Sequence, residues 1–274
     1  MTYSSTNDLV TQIHAGALIA LPAEYSFVPM DVVRGLIASQ TRGLHLLCVP
    51  IGGMATDMLI GAGCIDTLET AAVSLGEAGT APRFGEAVVN KTLTMKDATC
   101  PAIHSGLQAS EKGVPFMPLG GIIGSDLVTH RPDWKVIDDP LGKGNGRILL
   151  LPAIKPDFAL FHAPLADRDG NVWVGKRREL FTMAHAAKKS LVTVEHIRDE
   201  CLLEDDLYAA GTIPSMYITN IAQAEHGAWP LGLAGSYKRD NAVIADYALA
   251  AKTQAGFDVW MQDHLERCIK RAAE

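Results

Sequence analysis

Two carboxylates, a thiol and a run of strand-end glycines carry the chemistry legible in this chain. Glu24 and Glu77 each sit in a loop directly after an apolar run, residues 17–21 and 69–75. If those runs are parallel strands, both carboxylates lie on the carboxyl edge of a sheet, where open α/β sheets bind ligands. They are the candidate catalytic residues, able to act on an activated carbonyl or on water. Gly52 and Gly53 follow a second run at 44–49, and Ser74 and Gly76 follow the third. Gly120, Gly121 and Ser125 follow a short run at 114–119, where absent side chains let a ligand approach the backbone. Cys100 precedes Pro101, whose fixed φ and missing amide hydrogen suit the first turn of a helix. A thiol at a helix start has its thiolate favoured by the dipole, whereas apolar burial acts the other way, and Cys100 is read as lining a pocket. His162 ends an apolar strand and is read as a core histidine.

The elements that must position these groups alternate. Strand-like runs at 17–21, 44–49 and 69–75 are each followed by a loop and by helical spacing at 30–37, 54–62 and 82–89. A helix from Cys100 stops at Gly113, and the run 114–119 reads as a buried strand. Residues 129–147, rich in Asp, Pro and Gly, read as a surface excursion. Further strands fall at 147–152, 158–163, 190–194 and 216–221, a helix at 179–188, and two C-terminal helices part near Gly256. Such alternation implies a mostly parallel open sheet covered by helices on both faces, and no composition break divides residues 1–274 into two domains.

Composition narrows the function. With 274 residues, 48% hydrophobic, 20% charged and a net charge of −7, the chain can bury a large core and has no global attraction to nucleic acid or anionic membrane. Five scattered cysteines without a CxxC spacing read as reduced thiols, no metal-ligand cluster is visible, and no stretch reaches the ~18 apolar residues of a membrane span. The expected location is cytoplasmic. The glycine-rich 142–146 lacks the spacing of a phosphate loop, and 167–171 begins like a calcium loop but offers Arg178 where a glutamate is needed, so it reads as a hairpin turn. Neither a nucleophile elbow nor a dinucleotide fingerprint is present.

Several pieces, in order, carry a resemblance. They are Met30 to Ile37, Gly52-Gly53, Ser74-Leu75-Gly76-Glu77, Gly106-Leu107-Gln108-Ala109, Gly113 to Pro118, Gly124-Ser125-Asp126, the turn at 166–171, and Gly235-Ser236-Tyr237-Lys238-Arg239-Asp240. Their spacing resembles the alpha-type polypeptide of family I coenzyme A transferases, in the glutaconate CoA-transferase-like branch. The resemblance implies an α/β fold of the NagB/RpiA-like type and a beta-type partner subunit in a heterodimer or heterotetramer. The shared site would contain Glu24, Glu77, Gly52, Gly53, Ser74, Gly76, Cys100, Gly120, Gly121 and Ser125. It further implies CoA transfer between carboxylic acids through a glutamyl-CoA intermediate, the glutamate lying on the partner, with a coenzyme A thioester as substrate and no bound cofactor. Relatives place a glycine-rich oxyanion loop after the first strand; here Pro22-Ala23-Glu24 stands there, and proline donates no amide hydrogen. Some hydrolytic relatives carry a glutamate where this chain has Cys100. Two alternatives stay open: a thioester or carbon–carbon bond hydrolase on the same scaffold, and a non-catalytic acyl-CoA-binding regulatory subunit.

Overall fold

A computed structural model describes residues 3–142 and 146–272; the core of the glycine-rich stretch 142–146 lies outside the described residues. The chain opens with β1 (Tyr3–Ser4) and α1 (Thr6–Val10), the latter capped by Ser5, whose side chain accepts from the Asp8 amide. Four βα units follow: β2 (Leu18–Pro22) with α2 (Met30–Ala38), β3 (Leu44–Val49) with α3 (Met54–Gly61), β4 (Ile65–Thr70) with α4 (Pro82–Val89), and β5 (Thr94–Asp97) with α5 (Cys100–Glu111). The chain then leaves the sheet for β6 (Phe116–Leu119), α6 (Leu127–His130), β7 (Lys135–Asp138) and β8 (Arg147–Pro152). It returns as β9 (Phe158–Asp167) and β10 (Val172–Trp173), then α7 (Arg178–Ala186), β11 (Lys189–Arg198), β12 (Thr212–Ile213) and β13 (Asn220–Gln223). Helices α8 (Asn241–Ala250) and α9 (Gln254–Ala272) close it.

The main sheet runs β1-β13-β11-β9-β2-β3-β4-β5, with β10 and β12 added antiparallel beside β9. Every pairing along that main path is parallel, so the strands between its two edges are covered on both faces and read as continuous apolar runs. Their alternation still sorts the core. Ile19 and Leu21 of β2 and Leu44, Leu46 and Cys48 of β3 point into a cluster with Met30, Leu36 and Met58. Ala20, Leu47 and Val49 point the other way, towards Ile103, Leu107, Phe161 and Met183.

The structure corrects four of the sequence expectations. The third strand is Ile65–Thr70 rather than 69–75, because residues 71–75 form the strand-end loop, held where the Gly52 amide donates to Ala72 (2.9 Å) and the Ser74 amide to Gly52 (3.1 Å). The run 114–119 is no buried strand of the main sheet: β6 pairs antiparallel with β8 in a separate three-stranded sheet and leaves Phe116 exposed. Residues 129–147 hold the end of α6 and strand β7, and Arg131 fastens them to the main sheet through Glu69 (2.7 Å) and the Asp97 carbonyl (2.9 Å), with its guanidinium 4.3 Å over the Trp134 ring. Gly256 lies inside α9; a β-carbon there would come 2.3 Å from the Ala250 carbonyl, so glycine serves close packing of the turn at 251–253. Strands β1 and β5 had no sequence signal.

Candidate active site

Parallel pairing brings the carboxyl ends of β2, β3, β4 and β5 to one edge, and the loops after them form the walls of two adjoining open clefts. One, of about 430 Å³, is lined by Glu24, Gly52, Ser74, Gly76, Arg177 and Arg239, with Tyr25 and Ile51 among its apolar surfaces. The other, of about 550 Å³, runs past Gly76, Glu77, Arg239, Asn241 and Ile244. Gly76 and Arg239 border both.

Glu24 sits at the floor. One carboxylate oxygen accepts a short hydrogen bond from the amide of Met54, the first residue of α3, and the other accepts from Arg239 Nη1 at 2.8 Å. A carboxylate at a helix N-terminus answers unpaired amides and the positive end of the dipole, and the guanidinium adds a second positive partner. The Glu24 side chain is 14% exposed, so this pair meets solvent only through the cleft. Gly53 makes the arrangement possible: a β-carbon there would come 2.2 Å from the Glu24 carboxylate. Gly52 is equally constrained, with Thr56 Oγ1 2.6 Å and Cys48 Sγ 2.9 Å from where its β-carbon would stand. These glycines therefore make room for neighbouring side chains as well as for whatever enters the cleft. The loop amide at Ala23 is spent on the Val49 carbonyl (3.2 Å), and Pro22 has none, so neither residue offers an oxyanion donor.

Glu77 contrasts with it. It is exposed in a short helical turn, and among the described residues its carboxylate has no hydrogen-bond or ion-pair partner. Ser74 is exposed too, and its hydroxyl accepts from the Gly76 amide (3.1 Å), which holds the loop. Cys100 is an exposed free thiol at the first residue of α5, after Thr99, whose side chain accepts from the Ala102 amide (3.3 Å). It lines neither cleft but faces Tyr25. Burial raises the Tyr25 phenol above its ordinary range, the negative charges of Glu179 and of an ionised Cys100 add to this, and Arg177 opposes it. Gly120, Gly121 and Ser125 stand on the separate sheet's side of the chain and line neither cleft; Ser125 donates to the Ile122 carbonyl (2.8 Å).

Sequence reasoning missed Arg239, Arg177 and Tyr25 as site residues. Arg239 lies in the 235–240 segment already singled out, and the tight turn at Gly235 (φ +88°), closed by mutual 3.0 Å bonds between Leu233 and Tyr237, delivers it. Two residues earlier, Tyr237 reaches inward instead. Its hydroxyl donates to Glu195 Oε1 (2.8 Å), which His162 Nε2 also meets at 2.8 Å, while His162 Nδ1 meets Thr193 Oγ1 at 2.8 Å. Glu195 further accepts from the amides of His226 and Gly227. Burial opposes its charge, but the bonds from His162 and Tyr237 outweigh it and hold the carboxyl below its ordinary range. His162 is thus a satisfied core residue, as expected from the sequence. The turn at 167–171 is the expected hairpin: Asp167 accepts from the Asn171 amide (2.9 Å) and Gly170 takes φ +89°.

This fold, with glycine-bearing loops gathered at the carboxyl edge around an anchored carboxylate, defines an α/β enzyme scaffold, and the coenzyme A transferase family model matches residues 3–224. The chain belongs to the coenzyme A transferase family. It is 31% identical to the A-type polypeptide of glutaconate CoA-transferase from Acidaminococcus fermentans, over 78% of this chain and 72% of that one. It is 27% identical to the A-type polypeptide of 3-oxoadipate CoA-transferase from Pseudomonas knackmussii (92% and 89%), and 27% identical to the IpdA polypeptide of the cholesterol ring-cleaving hydrolase from Mycobacterium tuberculosis (96% and 92%). Among solved structures, glutaconate coenzyme A-transferase of A. fermentans superposes with a TM-score of 0.88 at 25% identity, over 96% of this chain and 88% of that one. A variant of the decarboxylase AibA/AibB gives 0.84 at 27% identity, over 97% and 98%. The expected fold is thereby established. Among the described residues no helix is long and apolar enough to cross a membrane.

Proposed function

We propose that this chain is the alpha-type subunit of a cytoplasmic CoA-transferase that moves coenzyme A between carboxylic acids, and that the attacking glutamate belongs to a beta-type partner. The observation that carries the reading is the state of Glu24. With one oxygen on the Met54 amide and the other on Arg239, its carboxylate is committed to holding the loop after β2 against the start of α3. A nucleophile needs a lone pair aimed at the thioester carbonyl, and both Glu24 oxygens are already engaged. The open clefts supply one wall of an acyl-CoA site, and the relatives, each named as one polypeptide of a multi-chain transferase, support a second chain that completes it.

The test is acyl exchange by the purified chain with and without a beta-type partner. Exchange only in the presence of both chains is expected; full activity of this chain alone overturns the two-subunit reading. A hydrolase remains the second reading because Glu77 is exposed and unpartnered beside the cleft, placed to take a proton from water. Thioester loss that needs no carboxylate acceptor and disappears in Glu77→Gln would favour it.

A further inference from the structure

Resting on the proposed transferase reading, we infer that Arg177 is a specificity-determining residue that receives the far carboxylate of a dicarboxylic acyl group. Arg177 lines the cleft that Glu24 floors. Its guanidinium lies 5.7 Å from the Tyr25 ring centroid and 5.3 Å from that of Phe27, so aromatic faces on the loop after β2 hold it in place. Among the described residues it has neither a carboxylate nor a carbonyl partner. The neighbouring acids are already engaged: Glu24 with Arg239 and the Met54 amide, and Glu179 with the Ser26 hydroxyl. The other cation of the cleft, Arg239, is used up on Glu24 and on the Leu75 carbonyl (3.3 Å).

The cleft therefore presents one uncompensated positive charge, on a rigidly backed planar fork, across from apolar surfaces at Ile51 and Ala234. A guanidinium so held matches a carboxylate in a two-bond geometry. A phosphate or diphosphate, carrying more charge, would face one cation and the Glu24 carboxylate on the same floor, which favours the singly charged carboxylate. The acyl chain would lie along the apolar surface with its thioester end towards the open side, where a partner's glutamate could reach it.

The test uses this chain purified in complex with its partner, and two five-carbon probes, glutarate and pentanoate, titrated calorimetrically. The unmodified complex is expected to bind glutarate at least about tenfold more tightly than pentanoate. Arg177→Met should abolish that preference, and Arg177→Lys should restore part of it. In acyl exchange, Arg177→Met should raise KM for glutarate as acceptor about tenfold or more while leaving kcat and the KM for pentanoate within about twofold. Equal binding of both probes by the unmodified complex, or a preference that survives Arg177→Met, overturns the assignment. So does loss of coenzyme A affinity with unchanged glutarate binding, which would make Arg177 a phosphate residue. Arg177-dependent glutarate binding without any acyl exchange would refute the transferase reading and leave the carboxylate site standing.

Discussion

Two carboxylates, each bound to a basic side chain and to backbone amides, lie on opposite sides of the same turn. Glu195 is buried with His162, which is wholly inaccessible, while Glu24 and Arg239 keep 14% and 34% of their side chains open to the cleft. The buried pair has no route to a substrate, so its hydrogen bonds serve the fold. The open pair has similar bonding but stands where a ligand arrives, and its charges are screened and exchangeable. Burial, more than residue type, separates the structural carboxylate from the one that shapes a site.

The largest expected effect breaks the buried side. Glu195→Ala strands the Tyr237 hydroxyl, the His162 ring nitrogen and the amides of His226 and Gly227, and should cost about 3 kcal/mol or more in urea unfolding. Next comes Gly53→Ala, whose β-carbon displaces Glu24 from the Met54 amide; acyl exchange with the partner present should fall about 100-fold, read as kcat/KM, while far-UV circular dichroism stays native. Glu24→Gln keeps an acceptor but removes the charge facing Arg239, so exchange should fall about tenfold with a stability change within about 1 kcal/mol, as befits a pair partly open to solvent. A fall in stability as large as that of Glu195→Ala would erase the distinction between the two regions.

Acid separates the groups further. The folded Glu195 carboxyl is held below its ordinary 4.5, so its contribution is present above that value and lost as pH falls beneath it; Glu195→Gln should remove this slope. His264, buried and stacked on Trp229 and Trp260, has its pKa lowered to about 3, first by burial and then by the charges of Arg34 and Arg267. The unfolded ring takes up a proton near 6.5 while the folded ring does not, so acidification from pH 6.5 to 5.5 should cost about 1 kcal/mol through this group. His264→Phe should flatten the stability profile in that window and leave the lower one unchanged.

The alternating strands and helices were legible because apolar runs broken by Gly and Pro record strand ends directly. Pro82 and Pro101 marked helix starts, and Gly113 marked a helix end at φ +66°. The excursion misled because β6, β7 and β8 are short and half-exposed, so their alternation is weak and their polar neighbours read as loop. The site was legible only as an edge. Glu24, Gly52, Ser74 and Gly76 converge there because each follows a parallel strand. Arg239 reaches Glu24 across 215 residues of sequence and Arg177 packs on Tyr25 from the far half of the chain, and no local spacing encodes either contact. Gly120, Gly121 and Ser125 were drawn in by composition alone, since glycine richness does not say which sheet a turn belongs to.

The Leu233–Tyr237 turn has a mechanical side. Tyr237 is tied down to Glu195, and Arg239, two residues on, is tied across to Glu24, so the segment between them works as a short tether between interior and cleft. A ligand that draws Arg239 off Glu24 pulls on this tether, and the strain reaches the Ala228 amide, which donates to the Tyr237 hydroxyl (3.0 Å). Occupancy of the cleft should therefore be audible in the deuterium uptake of amides 226 to 228, a stretch that no substrate touches.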